Sequence, residues 1–268
     1  VEAILALWLL FWLVAGHDYA LEEAIRHALF MAIASFNNAG MTLWPDSLVR
    51  FQADWFFLIP VMATIIAGSI GYPVFRDLWT QRGWRRISLH GRLTVLGFAI
   101  LLIGGAILFI ILEWDNEATM GAMAPHAHVL NGIFLSVTSR TAGFNTIDTA
   151  SLSDQSLMLV SFLMFIGGGS AGTGGGIKVG TAMIVLLIVW SEIRGKPDVE
   201  AFGRRIGEHN QRRAISVVIL GAILVMGLGY LLVAVSPHLP SRDVMFEAIS
   251  AFSTTGLSTG ITAQFTDS

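Results

Sequence analysis

The sequence predicts an all-α polytopic membrane protein in which tandem helix–pore loop–helix repeats surround a central pore. Three observations predict this fold: few charged residues, four long stretches without any charge, and an internal repeat of a short apolar run followed by a glycine. The uncharged stretches indicate helices that cross a bilayer. The repeat indicates chain that enters a bilayer without crossing it.

Charge is scarce in this chain and unevenly spread. Of its 268 residues, 54% are hydrophobic and 13% are charged, whereas a soluble domain carries about a quarter charged residues. Four stretches lack Asp, Glu, Lys and Arg, and a helix of their length crosses about 30 Å of hydrocarbon. They are 55–75, 93–112, 155–177 and 214–235. The absence of cysteine excludes a disulfide framework and a thiolate metal site.

The basic residues predict an orientation in the membrane. Five arginines lie within 76–92 and six basic residues lie within 191–213, so both segments should face the cytoplasm under the positive-inside rule. The segment 113–128 has three acids and no Lys or Arg, and it should face outward. The chain then returns from the outer side to the cytoplasmic side between His128 and Trp190. This takes about 60 residues, which is more than one crossing needs, so part of this stretch is expected to re-enter the membrane. Because both basic segments adjoin apolar spans, we predict no binding to nucleic acid.

Three segments of the chain resemble one another. Each begins with an apolar run of three to four turns and then breaks into small and polar residues around a glycine, as NNAGM, RTAGF and TTGLS. The glycines are Gly40, Gly143 and Gly256, and they lie 103 and 113 residues apart. That spacing leaves room for two crossing helices between successive loops. We call the loops around these glycines the pore loops.

The pore loops have the properties of an ion filter. An apolar run of about 12 residues is too short to span a bilayer, and non-helical backbone at membrane depth must be buried or line a watery cavity. Glycine lets carbonyl groups turn toward a common axis, where they can replace the water shell of a cation. The preceding helix directs its partly negative C-terminal end to the same point. Ordinary turns between spans are the alternative, but three equivalent loops favour a filter.

The segments SFNNAGM, TSRTAGFNT and STTGLSTGIT resemble the second, third and fourth selectivity-filter segments of the Trk/Ktr/HKT superfamily of potassium transporters. The Asn-Asn-Ala-Gly form is most similar to the Ktr membrane subunit. In that family four units of potassium-channel type surround one pore, and each filter gives one glycine to a potassium site. The resemblance therefore implies a site for K⁺, or for Na⁺, with no other cofactor. Its residues are Asn38, Ala39, Gly40, Thr141, Ala142, Gly143, Thr254, Thr255 and Gly256.

Only three filters are recognisable, so we expect the first repeat and the last helix of the family's pattern to be missing from this chain. The chain then divides into three parts. Residues 1–80 are the second repeat with a partial first helix, 81–192 are the third repeat, and 193–268 are a cytosolic connector followed by a truncated fourth repeat.

The sequence GGGSAGTGGG at 167–176, here called the glycine-rich segment, interrupts an apolar stretch. Each glycine costs a helix about 1 kcal/mol relative to alanine, so no continuous helix is expected. A nucleotide-binding loop is excluded because Gly-Lys-Ser/Thr is absent. In the resembled family such a segment lies under the filter and acts as a gate; a structural kink is the alternative. The implied gate residues are Gly167, Gly168, Gly169, Ser170, Gly172, Thr173, Gly174, Gly175 and Gly176.

Several other features have weaker interpretations. The segment 68–73, GSIGYP, predicts a bend or a packing site in a helix. Arg140 either braces the third filter by pairing with an acid or lies in a wet outer mouth. Lys178 either contacts the gate or starts a half-helix. His126 and His128 are expected in a solvated outer loop and not at a metal.

These observations predict a membrane pore subunit for potassium uptake. By resemblance it is a homodimer in a bacterial plasma membrane, opened by a cytosolic nucleotide-binding ring that docks on 76–92 and 191–213. A sodium or mixed transporter, a secondary transporter with broken helices, and a scaffold subunit are the alternatives. Repeats that run in one direction favour a pore over the inverted repeats of many secondary transporters. No catalytic arrangement is recognisable, so we predict no enzyme activity.

Overall fold

Our computed structural model describes residues 1–81 and 83–265, except for the side chain of Arg85. The predicted basic segment 76–92 therefore lies partly outside the described residues, at Arg82 and at that side chain. The described residues form ten α-helices and one short hairpin. The helices are α1 Glu2–His17, α2 Leu21–Phe36, α3 Trp55–Ile70, α4 Tyr72–Thr80, α5 Leu89–Glu113, α6 Pro125–Thr138, α7 Asp154–Phe165, α8 Val179–Ile193, α9 Glu208–Val235 and α10 Ser241–Phe252, and the hairpin strands are β1 Glu200–Ala201 and β2 Arg204–Arg205.

Two of the four uncharged stretches form single long helices. In the described part of the chain, α5 and α9 are each long and apolar enough to cross a membrane. The stretch 55–75 is instead broken at Gly71, where φ is 94° and α3 and α4 meet at 98°. The stretch 155–177 is also broken, because α7 ends at Phe165 and the glycine-rich segment follows. The expected break and the expected bend are both present.

Polar side chains fix where several of these helices begin. Asp54, Ser88 and Ser153 each accept a hydrogen bond from the N–H group three residues later, at 3.0, 3.0 and 3.3 Å. Each such cap contributes about 1 kcal/mol to its helix. Together they set the starts of α3, α5 and α7.

The helix that leads into each pore loop packs against the helix just before it in the chain. Helix α1 packs on α2, α5 on α6, and α9 on α10. The largest apolar core joins α1, α3 and α6 through the buried side chains of Leu9, Phe57 and Phe134. This core holds the helices around the first pore loop against the helix that leads into the second.

An apolar stripe covers the outer face of α5. Ile100, Ile103, Ile107 and Ile111 recur at helical spacing and are more than half exposed, at 54%, 57%, 52% and 66%. A soluble protein seldom exposes so continuous an apolar face. The stripe therefore has the composition of a surface that faces the interior of a membrane.

Glu113 connects the end of α5 to the start of α7. This carboxylate is fully buried and accepts hydrogen bonds from Asn116 Nδ2 at 2.7 Å and from Thr119 Oγ1 at 2.6 Å. The N–H and hydroxyl groups of Ser153 donate to its other oxygen at 3.0 and 2.6 Å. A charge buried in this way must be well bonded to be tolerated, so Glu113 fixes the loops at this end of the molecule.

Candidate ion-conducting site

The three pore loops share one backbone conformation. In each of them, the residue two places before the glycine and the glycine itself both have positive φ. The φ values are 51° and 66° at Asn38 and Gly40, 73° and 80° at Thr141 and Gly143, and 54° and 88° at Thr254 and Gly256. Residues other than glycine rarely adopt positive φ. Left-handed conformation at alternate residues turns the intervening peptide planes, so that successive carbonyl groups can face the same side.

The pore loops meet at their glycines. A Cβ atom added to Gly40 would lie 2.9 Å from the carbonyl oxygen of Ala142, 3.1 Å from Gly143 Cα and 3.2 Å from the carbonyl oxygen of Thr255. A Cβ atom added to Gly143 would overlap the carbonyl oxygen of Thr255. Each of these glycines thus faces the carbonyl group just before the glycine of the next loop. A Cβ atom on Gly256 would meet no described atom within 4 Å.

The N–H groups of the pore loops bond back to the helices that precede them. Ala39 donates to the carbonyl of Ala34, and Thr255 donates to that of Ser250, both at 2.9 Å. The N–H of Ala142 donates at 2.9 Å to the carbonyl at the end of α6. Within the described residues, the carbonyl oxygens of Ala142 and Thr255 accept no hydrogen bond. The loops therefore leave these oxygens available where the loops meet, as a cation site requires.

Glu247 on α10 supports the last pore loop from behind. Its carboxylate accepts hydrogen bonds from Ser258 Oγ at 2.6 Å, from Thr259 N at 3.0 Å and from Thr262 Oγ1 at 3.0 Å. Sequence reasoning did not single out this residue. An acid within a re-entrant apolar helix is costly and usually functional, and that signal could have identified it.

The glycine-rich segment lies against all three pore loops. A Cβ atom on Gly174 would come within 3.4 Å of Asn38 Nδ2 and would overlap Thr141 Oγ1. A Cβ atom on Gly175 would overlap Thr254 Oγ1. The backbone of this segment can approach the loops so closely only because these positions have no side chain. The structure thus brings the predicted gate residues together with the predicted filter residues.

The opposite face of the glycine-rich segment is bonded to the end of α3. Gly169 N donates to the carbonyl of Ser69 at 2.7 Å, and Thr173 N donates to that of Gly68 at 3.2 Å. The side chain of Ser69 in turn accepts a hydrogen bond from Asn38 Nδ2 at 2.6 Å. The segment 68–73, predicted only as a bend or packing site, is therefore the surface on which the glycine-rich segment rests.

Two basic side chains hold the ends of the glycine-rich segment. Arg140 is 1% exposed, its guanidinium lies 3.7 Å from the ring centre of Phe98, and its Nη2 donates to the carbonyl of Gly167 at 3.4 Å. Its Nε and Nη1 have no partner among the described residues. Neither expected alternative for Arg140 is found in the described part of the chain, because the side chain is buried and no acid there pairs with it. Lys178 Nζ donates to the carbonyl of Gly174 at 2.5 Å, and Lys178 also directly precedes α8, so both expected alternatives for this residue describe its position.

Both histidines lie in the first turn of α6 and not in the expected solvated loop. His126 is exposed, but His128 is buried in the first turn of α6, with Nε2 3.0 Å from the carbonyl oxygen of Met123. No cluster of potential metal ligands occurs within residues 1–81 and 83–265.

Comparison with known proteins gives matches along almost the whole chain. A family model described as cation transport protein, TrkH, matches residues 2–268. The chain is 35% identical to the Ktr system potassium uptake protein B of Vibrio alginolyticus over 92% of this chain and 54% of that protein. It is 36% identical to the potassium/sodium uptake protein NtpJ of Enterococcus hirae over 93% of this chain and 56% of that protein.

The fold is also similar to a solved structure. The potassium transporter TrkH of Vibrio parahaemolyticus superimposes with a TM-score of 0.72 at 16% identity, over 96% of this chain and 53% of that one. The chain thus spans about half the length of the relatives that it matches.

Proposed function

Since this chain belongs to the TrkH family of cation transport proteins, we propose that it forms part of a membrane pore for the uptake of potassium. Membership confirms the predicted superfamily, and the similar fold confirms the predicted all-α membrane architecture. The family is one of cation transporters and not of enzymes. The observation that carries the proposal is the meeting of three equivalent loops, with the free carbonyl oxygens of Ala142 and Thr255 beside Gly40 and Gly143.

In this proposal a dehydrated cation binds where the pore loops meet. The oxygens come from the backbone of the nine predicted filter residues, and the C-terminal ends of α2, α6 and α10 add a favourable field. The chain contributes the second, third and fourth repeats in the divisions predicted above. Gly40 faces the carbonyl group just before the glycine of the next loop. The same relation at Gly256 would place a fourth loop there and close the ring.

The glycine-rich segment is the proposed gate. It lies against the pore loops on the side where α7 ends, so an ion leaving the filter in that direction meets it. Opening requires the segment to leave its bonds to Gly68, Ser69, Arg140 and Lys178, and the bond from Thr173 to Phe36. These are single hydrogen bonds without apolar packing between side chains, which suits a movable element.

The proposed orientation places 76–92 and 191–213 in the cytoplasm of a bacterium. These basic segments are then the docking surface for a cytosolic nucleotide-binding ring, and the membrane subunit is a homodimer. The relative named Ktr system protein B belongs by its name to a multicomponent system, which supports a regulatory partner. Transport of both potassium and sodium is the second candidate, because one relative is named a potassium/sodium uptake protein.

Ion flux in liposomes tests the proposal. The complete native chain is reconstituted, and uptake of ⁸⁶Rb⁺ is measured with and without competing Na⁺. Deletion of residues 170–174 should raise uptake about ten-fold, equivalent to a barrier lowered by about 1.4 kcal/mol. Gly227→Ala, at a position on α9 with no described atom within 4 Å of the added Cβ, is the control. Unchanged uptake after the deletion would remove the gate, and uptake that requires a counter-transported solute would favour a secondary transporter.

A further inference from the structure

A cavity of about 670 Å³ lies beside the glycine-rich segment, where the first turns of α5, α8 and α9 meet. Ser170 of the segment lines it, and so does Lys178 just beyond the segment. The cavity is at the end of the molecule that carries the β1–β2 hairpin, which the proposed orientation places at the cytoplasmic surface. A ligand in this cavity would therefore touch the proposed gate.

The lining of the cavity is positively charged. Lys178, Arg205 and Arg213 line it, and no Asp or Glu among the described residues does. Asp198, close by, pairs with Arg205 at 2.9 Å, which leaves Lys178 and Arg213 without a compensating carboxylate in the described part of the chain. Such a concentration of uncompensated positive charge attracts an anion.

Three helices direct their N-termini at the cavity. Leu89 of α5, Gly180 of α8 and Asn210 of α9 all lie in first turns and all line it. The starts of α8 and α9 carry no side-chain cap. Each helix N-terminus acts as about half a positive charge, and together with its N–H groups it favours a phosphate or carboxylate.

The remaining wall of the cavity is apolar and continues along the outside of the molecule. Leu93, Ile184 and Val217 line the cavity. From Val217, the exposed side chains of Leu220 and Leu224 continue along the same face of α9 toward the centre of the proposed membrane. A headgroup in the cavity would thus have an apolar track for its acyl chains, which a free phosphate ion does not need.

We propose that this cavity binds the phosphate headgroup of an anionic phospholipid from the cytoplasmic leaflet, with the acyl chains along α9. Basic pockets between membrane helices on this side are suited to such headgroups. The bound phosphate competes with the carbonyl of Gly174 for Lys178 Nζ and so weakens one bond that holds the glycine-rich segment. Anionic lipid therefore favours the open gate; this consequence rests on the function proposed above, whereas the binding does not.

Lipid retention tests the site without measuring transport. The complete native chain is purified in detergent, and bound phosphatidylglycerol and phosphatidylcholine are counted by native mass spectrometry. Arg213→Gln should lower retention of phosphatidylglycerol roughly five-fold, since one basic side chain near a membrane surface contributes about 1 kcal/mol. Arg212→Gln is the matched control, because Arg212 is the adjacent residue, does not line the cavity and pairs with Glu208 at 3.4 Å.

Three results would overturn the lipid assignment. One is an equal loss of phosphatidylglycerol in the two variants, and another is retention that Arg213→Gln does not change. The third is binding of inorganic phosphate to delipidated protein with the same dependence on Arg213 and without preference for phosphatidylglycerol over phosphatidylcholine. That last result would identify the ligand as a free phosphate ion.

Flux measurements test the effect on the gate. The ratio of ⁸⁶Rb⁺ uptake in liposomes with phosphatidylglycerol to uptake in pure phosphatidylcholine should exceed one. It should fall toward one in Arg213→Gln and stay at the wild-type value in Arg212→Gln. Lipid binding that depends on Arg213 without any change in this ratio would overturn the effect on the gate. Specific lipid binding without flux in any lipid would support the site and count against the proposed function.

Discussion

Replacement of Gly143 by alanine is the most direct test of the ion site. Its φ of 80° costs an alanine about 1–2 kcal/mol. The added Cβ atom also overlaps the carbonyl oxygen of Thr255, which must withdraw by about an ångström to restore ordinary contact. Loss of this ligand adds about 1–2 kcal/mol to the strain. The total of about 2–4 kcal/mol predicts that ion uptake falls roughly 30- to 900-fold.

The assay is ⁸⁶Rb⁺ uptake into liposomes at a series of ion concentrations, with the amount of folded protein measured by size-exclusion chromatography. Gly256→Ala tests the closure of the ring, since its φ is 88° and the proposed fourth loop would face its added Cβ atom in the complete native chain. It should therefore lower uptake over the same range as Gly143→Ala. Gly104→Ala in α5, without a described neighbour, should transport normally. Uptake by Gly143→Ala within about two-fold of wild type would refute the carbonyl site.

Three further predictions concern stability, measured by thermal unfolding in detergent. Ser69→Ala removes the acceptor of Asn38 Nδ2 and should cost about 1–3 kcal/mol, because a buried donor loses its partner. Glu113→Gln should cost about 2–3 kcal/mol and lower the midpoint by roughly 4–9 °C, because four hydrogen bonds to a buried carboxylate are disrupted. A hydrogen bond from Arg50 lowers the pKa of Asp46. This pair should therefore stabilise the fold above the ordinary Asp pKa of about 3.9, and the stabilisation should be lost as the pH falls through the lowered pKa. Arg50→Gln should remove this pH-dependent contribution to stability.

Matched variants separate these effects from general damage. Ser216→Ala removes an exposed hydroxyl from α9, and Glu117→Gln removes an exposed acid from the loop after α5. Neither variant should change the free energy of unfolding by more than about 0.5 kcal/mol. Equal shifts for Ser69 and Ser216, or for Glu113 and Glu117, would contradict the assigned hydrogen bonds. A stability profile unchanged in acid by Arg50→Gln would contradict the third prediction.

Local patterns in the sequence predict much of the fold. The uncharged stretches at 93–112 and 214–235 are recognisable because a spanning helix must be apolar over its whole length. The pore loops are recognisable because glycine and the change from apolar to polar residues recur three times. Both signals depend on neighbouring residues, which is why they can be read along the chain.

The contacts of the candidate gate are not recognisable in this way. The hydroxyl of Thr173 donates to the carbonyl of Phe36, 137 residues earlier in the chain, and Arg140 reaches Phe98 from another helix. Glu113 belongs to an acidic segment that is predicted to face outward, yet the fold buries it under Ser153. Such pairs form only when distant parts of the chain pack together, so the residues around each position do not predict them.

The side-chain-free surface of the glycine-rich segment has a consequence for mutagenesis. Where the segment touches the pore loops it offers only main chain, so a substitution at Gly174 or Gly175 can only add atoms to a space that has no room for them. Substitutions there should therefore all act in one direction, by forcing the segment away. Variants that hold it more tightly must lie in the surrounding wall, at positions such as Ser69 and Arg140. If the segment is the proposed gate, a random screen should find only loss of closure at Gly174 and Gly175.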